Sequence, residues 1–353
     1  MVSLSFFRKT DPHEVCEELS AGIVVASLWY RTTLDETDDR LTANAGAEYQ
    51  VIRRCRDMFA FRFFLSCVLL GGSISVFAGK TRTWHSQIDS KTRPNKALVV
   101  DHTCTDISKI PVRWIDNAKR QFRVWYGHTS HGSQITSGMR AMNKGIFCFN
   151  ATGKDGALCY QETGGDLGHR GDLRWMRKTR DKLKSSGNTV NVVMWSWCGG
   201  CSDNTEEGIT AYLQAMTKLE EAYPDAVFIY MTGHLDGSGV NGNLNKRNNQ
   251  IRNYCKTHGK ALFDFADIES FDPDGNSFLQ LRANDGCFYD SNGDGRRDCN
   301  WCDEWMARHS DHGIALPRRA AHTRPLNGAF KGRSFWWMMA RLAGWDGEPL
   351  ARQ

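Results

Sequence analysis

Two histidines and a serine fall within four residues at the end of a predicted strand. The polar segment GHTSHGS, residues 127–133, directly follows an apolar run that favours a β-strand. A turn into a helix needs only one or two turn residues and a cap, so Gly127 and Ser130 would satisfy the backbone. Ser130 could act as a nucleophile if a histidine accepted its proton, and His128 and His131 could line the same pocket. The surplus of polar side chains therefore predicts a chemical site here.

Apolar strands and helical stretches alternate from residue 120 onward. Predicted strands cover residues 122–126, 189–195, 226–231 and 261–265, and predicted helices cover residues 171–184, 204–221, 245–258 and 334–343. Continuous apolar strand runs are typical of strands that helices cover on both faces. The alternation predicts an α/β fold, a three-layer α/β/α sandwich with a central parallel sheet.

A polar cluster follows each of these four predicted strands. The clusters are GHTSHGS at 127–133, SWCGG at 196–200, TGHLDGSG at 232–239 and DIESFDPDG at 267–275. In a parallel sheet, ligands bind at the carboxyl ends of the strands, which all meet at one edge. We therefore expect Ser196, His234 and Asp236 to share a pocket with Ser130.

The first and last of the chemistry-bearing blocks resemble those of the SGNH/GDSL hydrolase superfamily, whose members hydrolyse esters with a serine placed just after the first strand. YGHTSHGSQ, residues 126–134, is similar to the first block of the family, and residues 320–345 are similar to its last His-containing loop and C-terminal helix. The resemblance implies a flavodoxin-like architecture, with Ser130 as nucleophile, Thr129 as the next best match, and His322 as base. The motifs SWCG, YMTGHLDG, DFADIE and LAGW resemble a subgroup of secreted bacterial proteins.

The oxyanion donors of the family are only partly matched. GGDLGHRGD, residues 164–172, could supply the second-block glycine as Gly164 or Gly165, whose backbone N–H would join that of Ser130. The third block of the family, Gly-x-Asn-Asp, is replaced by Ser-Trp-Cys-Gly at residues 196–199. Asn204, in the following turn, is the expected substitute for its asparagine.

The carboxylate that orients the family's histidine is also missing, because Arg319 and Ala320 stand where its aspartate is expected before His322. A triad is defined by geometry rather than by sequence position. Asp236, or Asp311, is therefore the expected replacement.

Three other functions fit the same residues. His128, His131 and His234, with Asp236, have ligand atoms suited to zinc, and a metal-bound water could hydrolyse esters or phosphoesters. A polysaccharide lyase would use a histidine base, with an arginine to neutralise a uronate, and a protein without catalysis would only bind glycans through exposed aromatic rings. The arginine candidates are Arg170 and Arg324, and the tryptophan candidates are Trp195, Trp197, Trp336 and Trp337.

The leading expectation is a secreted serine esterase that acts on carbohydrate esters, as a deacetylase does, without a catalytic cofactor. The expected partner is a carbohydrate or small ester substrate, and we expect a monomer. The net charge of +5 is small for 353 residues, and no dense basic tract is present. Nucleic acid is therefore not expected as a partner.

A secretory signal peptide is predicted inside the chain rather than at its start. Residues 58–78 have a basic beginning, a short apolar middle and small residues before a cleavage site after Ala78. Translation is then expected to begin at Met58, which makes residues 1–57 a mispredicted extension; a cytoplasmic tail on a signal anchor is the alternative. Residues 79–119 are expected to be a lead-in segment to a domain at 120–346, and the mature protein to be secreted or periplasmic, with no membrane span.

A calcium-like loop and several cysteines complete the expectations. Residues 287–304 form a predicted insertion whose oxygen ligands alternate around Gly295, in the manner of a structural calcium loop without its closing glutamate. The candidate ligands are Asp290, Asn292, Asp294 and Asp298. In an oxidising compartment most cysteines should form disulfides, although two CxxC spacings, 198–201 and 299–302, could also bind zinc or exchange disulfides.

Overall fold

A computed structural model describes residues 96–348 and shows seven parallel strands in one sheet. The strands are β1 Leu98–Val100, β2 Arg123–His128, β3 Phe149–Asn150, β4 Leu158–Gly164, β5 Val192–Trp195, β6 Val227–Met231 and β7 Ala261–Phe263. A separate antiparallel pair consists of β8 Phe288–Tyr289 and β9 Cys299–Asn300.

Helices cover both faces of the sheet. They are α1 Val112–Gln121, α2 Ser133–Ala141, α3 Arg174–Lys184, α4 Glu206–Ala222, α5 Asn243–Thr257, α6 Phe265–Ile268, α7 Trp301–Arg308 and α8 Pro325–Leu342. Side chains of α1, α2 and α6–α8 belong to one hydrophobic core, and those of α3, α4 and α5 belong to a second. The predicted three-layer α/β/α sandwich with a parallel sheet is confirmed.

The strands divide their side chains between the two cores with a period of two residues. In β5, Val192 and Met194 enter the first core, whereas Val193 and Trp195 enter the second. Successive strand residues point to opposite faces, so a strand in the middle layer must be apolar throughout. This explains the continuous apolar runs in the sequence.

The strands lie in the order β1-β7-β6-β5-β2-β4-β3. At β2 the chain changes the side of the sheet on which it adds its next strands. The chain moves outward from β2 to β3 and β4, and then crosses back to β5 on the other side of β2. Without β1 and β3, this is the flavodoxin-like order of a doubly wound sheet. Neighbouring connections diverge at such a reversal, and the resulting crevice at the carboxyl end of β2 is the expected ligand site.

Two glycine contacts bring α2 and α8 unusually close. A Cβ on Gly138 of α2 would lie 2.1 Å from the carbonyl oxygen of Gly328, and a Cβ on Gly332 of α8 would lie 2.3 Å from the carbonyl carbon of Gly138. Only glycine permits this approach. Because α2 begins just after Ser130 and α8 begins just after His322, the crossing holds these two residues near each other.

The domain extends further toward the N-terminus than the predicted boundary at residue 120. Strand β1 pairs with β7, and α1 packs into the first core, so part of the expected lead-in segment at 79–119 is integral to the fold. The predicted last helix begins nine residues earlier than expected, because Pro325 occupies its first turn, where a missing N–H costs nothing.

The predictions for the N-terminal region fall outside the described residues. They concern the extension at 1–57, the signal peptide at 58–78 and the lead-in up to residue 95. Between residues 96 and 348, no helix is long and apolar enough to cross a membrane.

Candidate active site

Ser130 lies on the tight turn between β2 and α2. Gly132 is the N-cap of α2, so the Ser130 hydroxyl is not used for capping. A Cβ on Gly132 would lie 2.2 Å from the Ser196 hydroxyl and 2.6 Å from that of Tyr126, which makes glycine necessary at this close approach. The turn therefore leaves the Ser130 side chain free for another partner.

That partner is His322, whose Nε2 lies 2.9 Å from the Ser130 Oγ. The two residues are separated by 192 positions in the sequence and meet only because the fold joins the ends of α2 and α8. A hydroxyl in hydrogen-bond contact with an imidazole nitrogen is the minimum arrangement for an activated serine. The structure thus brings together the predicted nucleophile and base.

Within residues 96–348, no carboxylate contacts His322. Its Nδ1 has no hydrogen-bond partner among residues 96–348, and its ring instead stacks on His131 at 4.2 Å with an angle of 11°. The backbone of His322 has a φ of 63°, which costs a residue other than glycine about 1–3 kcal/mol and is concentrated at functional sites. Ring stacking and a strained turn therefore fix the position of this histidine.

His131 occupies the centre of the site. Its Nε2 lies 2.9 Å from Asp285 Oδ2, and its Nδ1 lies 3.1 Å from Cys198 Sγ. Burial lowers the pKa of His131, and the nearby His234 and His322 lower it further, although the hydrogen bond to Asp285 opposes the change. His131 is therefore held in its neutral form at a lower pH than an ordinary histidine.

The contact with His131 lowers the pKa of Asp285. Burial by itself would raise the pKa of Asp285, but the hydrogen bond to His131 and the nearby His234 outweigh burial and hold the pKa below its usual value. Asp285 reaches the site because its backbone N–H donates to the carbonyl of Leu235, next to His234. The carboxylate is thus an ionised acceptor for the Nε2–H of His131.

His234 completes a stack of three imidazole rings. It lies 3.6 Å from His131 with an angle of 3° between the rings. Its Nδ1 donates to the carbonyl of Leu235, and its Nε2 accepts from the backbone N–H of Gly199. Both ring nitrogens of His234 are therefore already used within the protein.

The ligand atoms of His131, His234 and Asp285 lie within 4.8 Å of one another, as a metal site would require. Their directions do not suit one. A metal ion lies about 2.0–2.1 Å from an imidazole nitrogen along its lone pair, which lies in the ring plane. Parallel rings 3.6 Å apart cannot both aim a lone pair at one ion. The arrangement favours a chain of hydrogen bonds over the predicted metal chemistry.

His128 points away from this stack. Its Nε2 lies 2.8 Å from Glu162 Oε1, and its Nδ1 lies 2.9 Å from the carbonyl of Thr129. The hydroxyl of Thr129 donates to Asp166, which places the neighbouring Gly165 beside the serine turn. The structure therefore separates His128 from the other two predicted zinc ligands and makes it a support for the turn.

Ser130 and Gly165 are the two predicted backbone donors to an oxyanion. Gly165 has a φ of 114°, a conformation that favours glycine. The N–H of Ser130 donates to no other residue in the described part of the chain, and the oxyanion role of Gly165 stays a prediction. The first turn of α2, which begins next to Ser130, adds the positive end of the helix dipole.

Ser196 and Asn204, also predicted for the pocket, have structural roles. The Ser196 hydroxyl is fully buried beneath the turn at Gly132. The Asn204 amide donates to the carbonyl of Gly200, and its oxygen accepts from the N–H of Thr205. These hydrogen bonds show that Asn204 stabilises the loop after β5.

The predicted orienting carboxylates do not contact His322. Asp236 accepts a hydrogen bond from the backbone N–H of Ser238, and Asp311 lines a cleft of about 580 Å³ with Trp305 and Arg333. The carboxylate that joins the site is Asp285, and it orients His131 instead. Its sequence context, Asn-Asp-Gly, indicates only a turn, so local reasoning could not find it.

A buried polar network anchors the loops that carry the site. The Lys331 ammonium donates to Glu269, at 2.5 Å, and to Gln134. Gln134 donates in turn to the carbonyl of Ala321, at 2.6 Å, and Glu269 accepts from the N–H of Leu235. The network therefore joins the first turn of α2, which follows the turn that carries His131, to the loop before α8 and the loop after β6, which carry His322 and His234.

Cys287 and Cys302 are placed to form one of the expected disulfides. Their sulfur atoms lie 3.0 Å apart, and both side chains are buried. Only a small movement separates this contact from the bonded distance of about 2.05 Å. Cys201 instead faces Asn248, and Cys198 faces His131, so the two CxxC pairs do not converge on one metal.

We expect oxidised protein to contain the Cys287–Cys302 bond and to be about 2–4 kcal/mol more stable than reduced protein, since closing a loop of this length restricts the unfolded chain. Peptide mapping without reductant and urea unfolding with and without reductant would measure both. Cys302→Ala should remove this dependence on reductant, and Cys148→Ala, at a half-buried cysteine bonded only to a carbonyl, should not. An equal response of the two variants would contradict the assignment.

The predicted calcium loop connects β8 to β9. Asp290 accepts from the N–H groups of Gly293 and Gly295, at 2.7 and 2.8 Å, so its carboxylate closes the turn. Asn292 and Asp294 each accept from a backbone N–H two residues on, and Asp298 accepts from Ser291. These carboxylates retain further lone pairs, and calcium binding stays a prediction.

Comparisons with known proteins add nothing to this geometry. No family model, curated protein or solved structure matches the chain.

Proposed function

We propose that the protein is a serine hydrolase of the SGNH type that cleaves esters, with Ser130 as nucleophile and His322 as general base. The contact of 2.9 Å between Ser130 Oγ and His322 Nε2 carries the proposal. The doubly wound sheet supports it, because the pair lies at the carboxyl end of β2, where the strand order reverses.

Ester hydrolysis would proceed through an acyl group on Ser130. His322 Nε2 takes the hydroxyl proton as Ser130 Oγ attacks the ester carbonyl. The backbone N–H groups of Ser130 and Gly165, together with the positive end of α2, stabilise the negative charge on the carbonyl oxygen. His322 then gives the proton to the leaving alcohol, and a water molecule that it activates releases the acid.

The surroundings of the pair support a polar substrate. Ser130 is half-buried and His322 is exposed, and their neighbours His131 and Cys198 are polar. A short acyl group on a hydroxyl-rich alcohol matches these surroundings, which is the basis for proposing an acetylated carbohydrate as the substrate.

A fluorophosphonate probe tests the nucleophile. We expect one covalent adduct on Ser130, because only an activated serine attacks such a probe at a useful rate, and we expect His322→Ala to abolish it. Intact mass and peptide mapping would locate the adduct. His258→Ala, at an exposed histidine bonded to the Tyr254 carbonyl, is the matched control and should label normally. Absence of an adduct on folded protein would refute the proposal.

The glycan-binding alternative loses its main sequence support. The four tryptophans considered for stacking are all buried and belong to the two cores: Trp195, Trp197, Trp336 and Trp337. Of the two arginines considered for the lyase alternative, Arg324 is engaged in a bidentate ion pair with Asp303.

A further inference from the structure

A second chain of nucleophile, base and carboxylate lies beside Ser130. Cys198 Sγ lies 3.1 Å from His131 Nδ1, and His131 Nε2 lies 2.9 Å from Asp285 Oδ2. Because an ionised carboxylate only accepts hydrogen bonds, Nε2 carries the ring proton and Nδ1 presents its lone pair to the thiol. All three roles of a triad are filled here, whereas no carboxylate of the described residues contacts the Ser130–His322 pair.

We propose that Cys198 is a second nucleophile of this pocket, activated by His131 and Asp285, and that it accepts acyl groups from thioesters. Ser130 takes no part in this reaction, which therefore goes beyond the proposed ester hydrolysis. Cys198 is only half-buried, and its Sγ lies 3.7 Å from Ser130 Oγ, so an acyl group in the pocket can reach it.

The reaction balances without an oxidant or a cofactor. The thiol proton passes to His131 Nδ1, Cys198 Sγ bonds to the carbonyl carbon, and the carbon–sulfur bond to the leaving thiol breaks. The proton on His131 then moves to that leaving thiolate. Water, deprotonated by His131, subsequently attacks the acyl group on Cys198 and releases a carboxylic acid and the free thiol.

Thioesters fit Cys198 better than oxygen esters do. A thiolate is a much weaker base than an alkoxide, because an ordinary thiol has a pKa of about 8.5, and it leaves correspondingly faster. Exchange between two thiols is nearly balanced in energy, whereas a thiolate must expel a far stronger base from an oxygen ester. The two nucleophiles would thus divide thioesters and oxygen esters between them.

The groups around His131 preserve its role as base. The rings of His234 and His322 stack on its two faces, and Asp285 and Cys198 lie at its two nitrogens. The lowered pKa of His131 keeps Nδ1 available to the thiol in mildly acidic solution. Gly199, whose φ is 74°, donates to His234 and holds the loop that carries Cys198.

The test uses the full protein with Ser130→Ala, which removes the serine as a source of transferred acyl groups. After a short reaction with thiophenyl acetate, peptide mapping should find the acetyl group on Cys198. Iodoacetamide should modify Cys198 at least about tenfold faster than Cys148 at pH 7, because a thiol beside a base has more thiolate character. Cys148 is the internal control, since among residues 96–348 its Sγ makes a hydrogen bond to the Gly156 carbonyl and none to a base.

Two further variants separate activation from simple exposure. Asp285→Asn and, independently, His131→Gln should slow both reactions of Cys198 and move the rise of the alkylation rate to higher pH, while Cys148 is unaffected. Circular dichroism would verify folding. The proposal is overturned if Cys198 reacts no faster than Cys148, or if both folded variants keep the rate and its pH profile. Failure of the Ser130 reaction would appear separately, as absence of the fluorophosphonate adduct on protein that retains Ser130.

Discussion

Replacing Ser130 by alanine is expected to lower kcat/KM for ester hydrolysis by about 10³-fold or more. The remaining rate would come from the backbone donors and substrate positioning, which survive the substitution. A larger loss, of about 10⁶-fold, is found where a complete triad is removed. No carboxylate of residues 96–348 orients His322, so we expect the intact protein to hydrolyse esters more slowly than a full triad does, and the substitution to cause a smaller loss.

The same reasoning predicts that His322→Ala loses about as much activity as Ser130→Ala, and that the double variant loses no more than either, because the two residues act as one unit. Initial rates with acetylated sugars and with nitrophenyl acetate would measure this. Ser185→Ala is the control, since Ser185 is an exposed serine whose hydroxyl donates to the Lys182 carbonyl. Losses that multiply, or a loss below tenfold for Ser130→Ala, would exclude the dyad.

The layer architecture and part of the site could be predicted because their signals are local. The strand at 192–195 and its neighbour at 227–231 are buried on both faces. A continuous run of apolar residues in the sequence predicts such strands. Strand β1, of three residues, and β4, whose last four residues are half-buried or exposed, leave no such run. The sequence therefore predicted the central strands of the sheet and missed the edge strand β1 and the strand β4 next to the other edge.

Ser130 and His322 could be proposed because each lies beside an element with a recognisable pattern. Asp285 could not, since it joins the site through a backbone bond to Leu235, which is 50 positions away. The CxxC spacing at 198–201 predicts a disulfide or a zinc site for Cys198, and only the contact with His131 indicates a nucleophile. The roles of Asp285 and Cys198 depend on contacts between residues far apart in the sequence, and the spacing of residues does not predict such contacts.

Lys331→Met is expected to lower the free energy of unfolding by about 3–5 kcal/mol, because it leaves the buried Glu269 carboxylate without its cation. The side chains of Lys331 and Glu269 are both completely buried. The ammonium also lies 3.9 Å above the ring of Phe265, a contact that methionine cannot replace electrostatically. Urea unfolding followed by circular dichroism would measure the loss.

A double-mutant cycle separates the lost pair from lost packing. Glu269→Gln alone leaves a buried ammonium, whereas Lys331→Met with Glu269→Gln removes both charges and should recover part of the stability, with a coupling of about 0.5–3 kcal/mol. Lys109→Met, at an exposed lysine 3.8 Å from Asp106, is the matched control and should change stability by less than about 0.5 kcal/mol. Strictly additive losses would show that the ion pair itself stabilises nothing. The network also anchors the turns at Leu235 and Ala321. The single variants Lys331→Met and Glu269→Gln should therefore react more slowly with the fluorophosphonate at Ser130, even at temperatures where they stay folded.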